Sequence, residues 1–173
     1  IPEVKALLDF SDHIETLSQL ENRTDTLEVE EVQVQAFSEE LVDQIRDKVK
    51  GGVNIVVNVP KMSANFNKEY VSHILSHLLK NAAEYTPDNG KITLEFKKRS
   101  AHSYQFLVAD TGEGIPEEKR EDIFKPFREI RDLTTGDGLG LPTCKQMALK
   151  MKGDLEVDPE YTKGTRFLLD LQA

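Results

Sequence analysis

The sequence has one cysteine, Cys144, and no tryptophan. A single cysteine cannot form an internal disulfide, so a disulfide framework is excluded and a reducing compartment is the simpler interpretation. No run of about 18 apolar residues is present, so no membrane-spanning helix is predicted. The first ten residues lack both the pattern of a signal peptide and a starting Met, and we therefore expect a fragment of a longer protein.

Acidic residues outnumber basic ones, and the formal net charge is −9. This balance argues against a nucleic-acid partner, whose phosphates require a basic surface. The excess lies almost wholly in residues 1–50, which contain 13 acidic and 5 basic residues. An anion bound by the rest of the chain would therefore meet little opposing charge.

Helical and strand patterns are mixed along the chain. The most regular helical pattern is the apolar stripe of residues 67–84, which includes Val71, Ile74, Leu75 and Leu78. Further helices are predicted at 3–20, 38–50, 117–124 and 139–151, and strands at 29–34, 53–59, 91–99, 103–110, 155–158 and 165–171. Hairpins without regular strand–helix alternation predict an α+β sandwich, in which helices cover one face of a mixed sheet.

Polar residues occupy one side of the helix predicted at 67–84. His73, His77 and Asn81 are four residues apart, which places them on one helix face beside the apolar stripe. The carboxamide oxygen of Asn81 suits a hard cation such as Mg²⁺. Three solvated side chains would give the same pattern, and so would a zinc site on the two histidines, although no third zinc ligand is evident.

The segment DTGEGIP at 110–116 directly follows a predicted strand. Gly112 and Gly114 allow a positive φ and a close approach of the backbone to a flat ligand. The carboxylate of Asp110 could accept a hydrogen bond from an exocyclic amine such as that of adenine. An ordinary turn is the competing interpretation, because Asp and Gly favour turns.

Three alternate glycines, Gly136, Gly138 and Gly140, lie where the helix at 139–151 is predicted to begin. Backbone N–H groups at such a helix start can bind phosphates. No Gly-Lys-Ser/Thr follows, so the segment is not a Walker loop, and its position does not fit a Rossmann unit either. The polar residues 128–137 are typical of a mobile lid over a ligand.

Taken in order, these segments resemble the sequence boxes of the GHKL superfamily, and within it those of the histidine kinases. HLLKNAAEYTP at 77–87 resembles the N box, DTGEGIP the first glycine box, FKPF at 124–127 the F box, and GDGLGL at 136–141 the second glycine box. KGT at 163–165 resembles the glycine and threonine that precede the last strand. The resemblance covers about residues 28–173, and the coincidence of four boxes is far more specific than any one of them.

The resemblance implies a Bergerat-type ATP-binding sandwich in which ATP lies beneath a lid. It implies that Asn81 binds Mg²⁺ and is catalytic together with His77, and that Asp110 binds the adenine amine. The other implied nucleotide-binding residues line the base pocket, form the phosphate cradle or support Asp110, and they are Tyr85, Gly112, Gly114, Ile115, Arg128, Gly136, Gly138, Leu139, Gly140 and Thr165.

The resemblance also implies the domain organisation and the partners. Residues 1–24 resemble the end of the dimerisation and phosphotransfer hairpin, and residues 25–173 the catalytic ATP-binding domain. The implied partners are ATP, the phosphoacceptor domain of its own homodimeric protein and a response regulator, with no nucleic acid and no direct membrane contact. The implied location is cytoplasmic, in a full-length protein that can be an inner-membrane sensor.

Two residues depart from the histidine kinase pattern. Most of these kinases have Asn where this chain has His77, and Lys where it has Glu84. ATPases of the gyrase, chaperone and mismatch-repair type instead have a water-activating Glu four residues before the metal-binding Asn, so His77 argues against hydrolysis. The missing cation at position 84 supports a third interpretation, a nucleotide-binding module without catalysis.

We expect this chain to bind ATP, but neither to label itself nor to hydrolyse ATP quickly. A His-Glu/Asp-x-x-x-Pro phosphoacceptor motif is absent from the sequence, and His13 resembles a surface residue of the first helix. With radiolabelled ATP, only an added phosphoacceptor hairpin should become labelled. Acid-labile label on the chain alone that disappears in His13→Ala would contradict this expectation.

Overall fold

The structure is a computed structural model that describes residues 27–125 and 140–172. Its helices are α1 (Val34–Asp43), α2 (Lys68–Tyr85) and α3 (Gly140–Lys150). Its strands are β1 (Glu30–Gln33), β2 (Asn54–Asn58), β3 (Ser63–Phe66), β4 (Lys91–Ser100), β5 (Ser103–Asp110), β6 (Asp154–Val157) and β7 (Thr165–Gln172). The predictions for residues 1–24, the lid at 128–137, Arg128, Gly136, Gly138 and Leu139 lie outside the described residues.

Five strands form one mixed sheet in the order β2-β4-β5-β7-β6. β2 is parallel to β4, and the other neighbours in this sheet are antiparallel. Along β4, Ile92, Leu94 and Phe96 are buried, whereas the alternate residues Thr93 and Glu95 are only partly buried. Since alternate residues of a strand point to opposite faces, one face of the sheet packs on the helices. The predicted α+β sandwich is confirmed.

Helix α2 has clear signals at both ends. The side chain of Asn67 accepts a hydrogen bond of 2.9 Å from the Tyr70 backbone N–H, which caps the start of the helix. At the end, Thr86 leaves the helical conformation, and its hydroxyl donates to the Ala82 carbonyl at 2.6 Å. The apolar stripe, from Val71 to Ala82, is buried in the core. The helix observed at 68–85 therefore confirms the one predicted at 67–84.

Some predicted elements differ from those observed. Helix α1 begins at Val34 rather than Ser38, because the Gln33 side chain accepts a bond from the Gln35 N–H and caps the helix there. Strand β3 was not predicted, and it forms a separate antiparallel pair with β1. The segment predicted as one helix at 117–124 contains two short 3-10 turns, Glu117–Lys119 and Asp122–Phe124.

Aromatic side chains concentrate in one part of the core. Phe37, Phe66, Phe96 and Phe106 have ring centroids 4.8–6.3 Å apart where they meet, and Tyr104 stacks on Phe96. Such pairs stabilise a core beyond the area that they bury. Tyr104 and Phe106 belong to the first half of β5, so the cluster fixes one end of the strand that ends at Asp110. No helix among the described residues is long and apolar enough to cross a membrane.

Candidate functional site

Three predicted site residues follow one another along α2, and we call His77, Asn81 and Tyr85 the polar row of α2. His77 is half-buried, whereas Asn81 and Tyr85 are buried. With a rise of 1.5 Å per residue, the row extends about 12 Å along the helix. His73, one turn earlier, is exposed. The row thus begins at the protein surface and continues into the interior.

The first turn of α3 lies against the His77 end of this row. A Cβ atom added at Gly140 would be 2.2 Å from Cε1 and 2.6 Å from Nε2 of His77. These distances are far shorter than a van der Waals contact, so the imidazole occupies the space that a side chain would need. The structure therefore brings His77 of the predicted N box and Gly140 of the predicted second glycine box together.

The glycine loop after β5 lies against the Tyr85 end of the row. A Cβ atom added at Gly112 would be 2.7 Å from the Tyr85 carbonyl oxygen and 3.1 Å from Asp110 Oδ1. Gly114 has a φ of 81°, which a residue with a side chain adopts only at a cost. Both glycines are thus required by the backbone, and the loop is packed against α2 and the connection that contains Gly164.

Asp110 is a buried carboxylate with only 3% of its surface exposed. Its Oδ1 atom accepts hydrogen bonds from the backbone N–H groups of Gly112, at 2.9 Å, and of Thr165, at 3.3 Å. Thr165 is the register partner of Asp110 in the β5–β7 pair and is itself buried. Because a buried charge is costly unless it is hydrogen-bonded, these bonds hold the carboxylate at one place.

The segment that follows the glycine loop is anchored to α3 and the sheet. Ile115 is buried, and its carbonyl accepts a 3.3 Å bond from Arg120 Nε. Phe124, the first residue of the predicted F box, meets the ring of Phe167 in β7 at 6.3 Å. Lys145 of α3 lies 5.1 Å from the Phe124 ring centroid. These contacts fix residues 115–124 beside the site.

Glu84 occupies the position where most histidine kinases have a lysine. Its side chain is exposed, and partial burial raises the pKa of its carboxyl while nearby Lys50 lowers it in part. Lys50 Nζ donates a 2.7 Å hydrogen bond to the Glu84 carbonyl oxygen. A lysine from another part of the chain therefore lies beside this position and offsets some of the negative charge.

The side chains that could bind a metal ion near the polar row indicate which metal would fit. In the part of the chain that the structure describes, no three His, Cys, Asp or Glu residues form a cluster that could hold a metal ion. A zinc site based on His73 and His77 has no further support. The carboxamide of Asn81 is 5% exposed and makes no hydrogen bond within the described residues. Its oxygen suits Mg²⁺, which takes few protein ligands and keeps several waters.

Sequence reasoning missed one residue of this region, Tyr161. Its hydroxyl donates a 3.1 Å hydrogen bond to the main-chain carbonyl of Asp110. The two residues are 51 positions apart, and no motif predicted for the chain includes residue 161. Only the pairing of β5 with β7 brings them together, so a local pattern could not have revealed the contact.

Comparison with known proteins shows the family to which the chain belongs. Residues 67–173, more than half of the chain, match the family of histidine kinase-, DNA gyrase B- and HSP90-like ATPases. The chain belongs to this family. The adaptive-response sensory kinase SasA of Crocosphaera subtropica is 34% identical over 142 residues, which are 79% of this chain and 37% of that relative. The predicted resemblance to sensor histidine kinases is confirmed, and the chain spans about a third of the length of such a relative.

Solved structures confirm the fold. Full-length ShkA in complex with AMPPNP has a TM-score of 0.82 at 24% identity, over 96% of this chain and 36% of ShkA. Histidine kinase ThkA in complex with the response regulator protein TrrA has a TM-score of 0.75 at 20% identity, over 98% of this chain and 48% of ThkA. The predicted Bergerat-type ATP-binding sandwich is therefore the fold of this domain.

We expect Gly112→Ala to disturb the site, because its Cβ would press against the Tyr85 carbonyl. Such overpacking lowers the free energy of unfolding by about 1–3 kcal/mol. Gly51→Ala is a matched control, since a Cβ at Gly51 meets no atom within 4 Å and should change stability by less than about 0.5 kcal/mol. Urea denaturation of both variants checks this, and equal stabilities would contradict the observed close approach.

Proposed function

We propose that residues 25–173 are the catalytic ATP-binding domain of a sensor histidine kinase. The domain holds Mg-ATP and transfers the γ-phosphate to a histidine of the dimerisation domain, for relay to a response regulator. The observation that carries this proposal is the polar row of α2, which runs from the His77–Gly140 contact to the Tyr85–Gly112 contact. One helix face thus connects two glycine segments suited to the two ends of a nucleotide.

The base end of the nucleotide is assigned to the Asp110 region. A fixed, buried carboxylate can accept a hydrogen bond from the exocyclic amine of adenine, which guanine does not offer at that position. Gly112 and Gly114 contribute backbone and no side chain beside Asp110, and Ile115 and Tyr85 supply buried apolar surface for a flat base. The close approach of the loop to α2 keeps Asp110 next to the Tyr85 end of the polar row.

The phosphate end is assigned to the His77–Gly140 region. Helix α3 begins at Gly140, beside the His77 imidazole, and helix starts bind anions through their backbone N–H groups. The 12 Å length of the polar row suits a triphosphate extended from the base along the helix. Arg128, Gly136, Gly138 and Leu139 are proposed to complete this cradle on the basis of the sequence resemblance.

Asn81 lies midway along the row and is proposed as the Mg²⁺ ligand, because its buried carboxamide has no competing hydrogen bond among the described residues. When bound, Mg²⁺ neutralises phosphate charge during transfer. The contribution of the protein is positioning: Asn81 would hold the metal, and His77, which lies against Gly140, limits where the terminal phosphate can lie. At the position where ATPases of the gyrase, chaperone and mismatch-repair type have a water-activating glutamate, this chain has the imidazole of His77. This difference favours transfer of the phosphate over hydrolysis of ATP.

Residues 1–24 are proposed to be the end of the dimerisation hairpin, and the complete protein to act as a homodimer that meets a response regulator. A structural neighbour, histidine kinase ThkA, is known in complex with the response regulator protein TrrA. The ATP-consuming reaction is placed on the cytoplasmic side of a sensor that can be anchored in the inner membrane. These assignments follow from the sequence resemblance.

We expect Asn81→Ala to abolish Mg²⁺-dependent ATP binding, because it removes the one proposed metal ligand. Calorimetry with and without Mg²⁺ measures this, and the variant should retain only the metal-independent affinity. Asn65→Ala, an exposed asparagine on β3, is the control and should bind like the unaltered chain. An unchanged Mg-ATP affinity in Asn81→Ala would rule out the assigned metal site.

We expect Asp110→Asn to weaken ATP binding and reduce the preference for ATP over GTP. A lost hydrogen bond to a charged group costs roughly 1.5–3 kcal/mol, about ten- to a hundredfold in affinity. Asp47→Asn, an exposed aspartate, makes the same chemical change away from the site and should have no effect. If Asp110→Asn kept full affinity and still excluded GTP, the base contact would have to lie elsewhere.

A further inference from the structure

The connection between β6 and β7 lies directly against the end of β5. A Cβ atom added at Gly164 would be 2.1 Å from the carbonyl oxygen of Asp110 and 2.9 Å from the Gly112 nitrogen. A Cβ at Gly114 would in turn be 3.0 Å from the Gly164 carbonyl. The two backbones touch without intervening side chains, so a shift in the connection would be transmitted to the glycine loop.

Tyr161 adds a directed bond to this contact. Its hydroxyl donates to the main-chain carbonyl of Asp110 at 3.1 Å, and the residue is half-buried. Burial raises the pKa of the phenol above its ordinary value, and the negative charge of Asp110 raises it further. The hydroxyl therefore stays protonated across the neutral range and remains a donor to the carbonyl.

Arg166 and Asp158 hold the tyrosine ring in place. The Arg166 guanidinium carbon lies 4.8 Å from the Tyr161 ring centroid, at cation–π distance. Nε and Nη2 of Arg166 both donate to Asp158 Oδ2, at 2.8 Å and 2.5 Å. Burial alone would raise the pKa of Asp158, but the backbone N–H of Glu160 and the guanidinium of Arg166 lower it below its ordinary value. The carboxylate is thus charged near neutral pH and keeps the guanidinium over the ring.

We propose that Tyr161 is a positioning residue for base recognition. The Tyr161 brace, which consists of Asp158, Tyr161 and Arg166, fixes the main chain of Asp110 and thereby the direction of its carboxylate. The backbone N–H groups of Gly112 and Thr165 that donate to Oδ1 set the rotation of the carboxylate, whereas the bond from Tyr161 sets the position of the main chain of Asp110. This inference rests on the proposed role of Asp110 in binding the base.

The Tyr161 brace affects the selectivity for adenine over guanine more than it affects the stability of the fold. Asp110 is also held by its strand pairing with Thr165, so we expect the sheet to retain its register when the tyrosine hydroxyl is removed. The main chain at the end of β5 gains freedom, and the carboxylate no longer lies at one fixed distance from an exocyclic amine. Discrimination between adenine and guanine depends on that distance, and a general loss of folding does not alter it.

The test is Tyr161→Phe, which keeps the aromatic ring for Arg166 and removes the donor. Calorimetry should show a loss of about three- to tenfold in Mg-ATP affinity, as expected for one hydrogen bond, and a smaller ratio of ATP to GTP affinity. Tyr104→Phe makes the same change at the opposite end of β5 and should leave the ratio unaltered. The ratio does not depend on the folded fraction, so it remains informative if the variant is less stable.

The double variant Tyr161→Phe/Asp110→Asn decides whether Tyr161 acts through Asp110. If it does, the double variant should have the affinity ratio of Asp110→Asn alone, because the carboxylate being positioned is already lost. An unchanged ratio in Tyr161→Phe, or additive losses in the double variant, would overturn the proposal while leaving the base contact intact. If Asp110→Asn itself has no effect, the base contact and the role of the brace both fail.

Discussion

The hydrogen-bonded junction between Asp110 and the start of β7 is the constraint on which the site depends. A carboxylate that is almost wholly buried is tolerated only where donors surround it, and here the donors include the backbone N–H groups of Gly112 and Thr165. Strand pairing, the glycine loop and the orientation of a charged side chain are therefore parts of one arrangement. The glycines in this arrangement leave no space for a Cβ atom, so few other residues could take their place.

Helix α2 converts this local junction into an extended site. Its apolar face is buried in the core. Its polar row borders two glycine segments, one that follows β5 and one at the start of α3. Because the row belongs to one rigid helix, the distance between the proposed base end and the proposed phosphate end is set by helical geometry. Packing of an ordinary amphipathic helix thus determines the spacing of the residues proposed to bind the nucleotide.

The sequence predicted elements with strong local signals and missed those that depend on distant partners. Helix α2 was predicted within one residue at each end, because its cap and its apolar stripe are both local. Strand β3 is short and contains Ser, Ala and Asn, which have little strand propensity, and it is extended because it pairs with β1. The boxes of the site were found by resemblance, whereas Tyr161 is brought to Asp110 only by the fold.

The separation of the two halves of the junction has a consequence for biosynthesis. Thr165 follows Asp110 by 55 residues, which corresponds to about 3–11 s at ordinary rates of translation. During that interval the glycine loop and α2 already exist on the ribosome, but the strand that pins the carboxylate does not. If Asp110 binds the base as proposed, a nascent chain acquires this contact only after β7 has emerged, so cellular ATP cannot stabilise earlier intermediates through it.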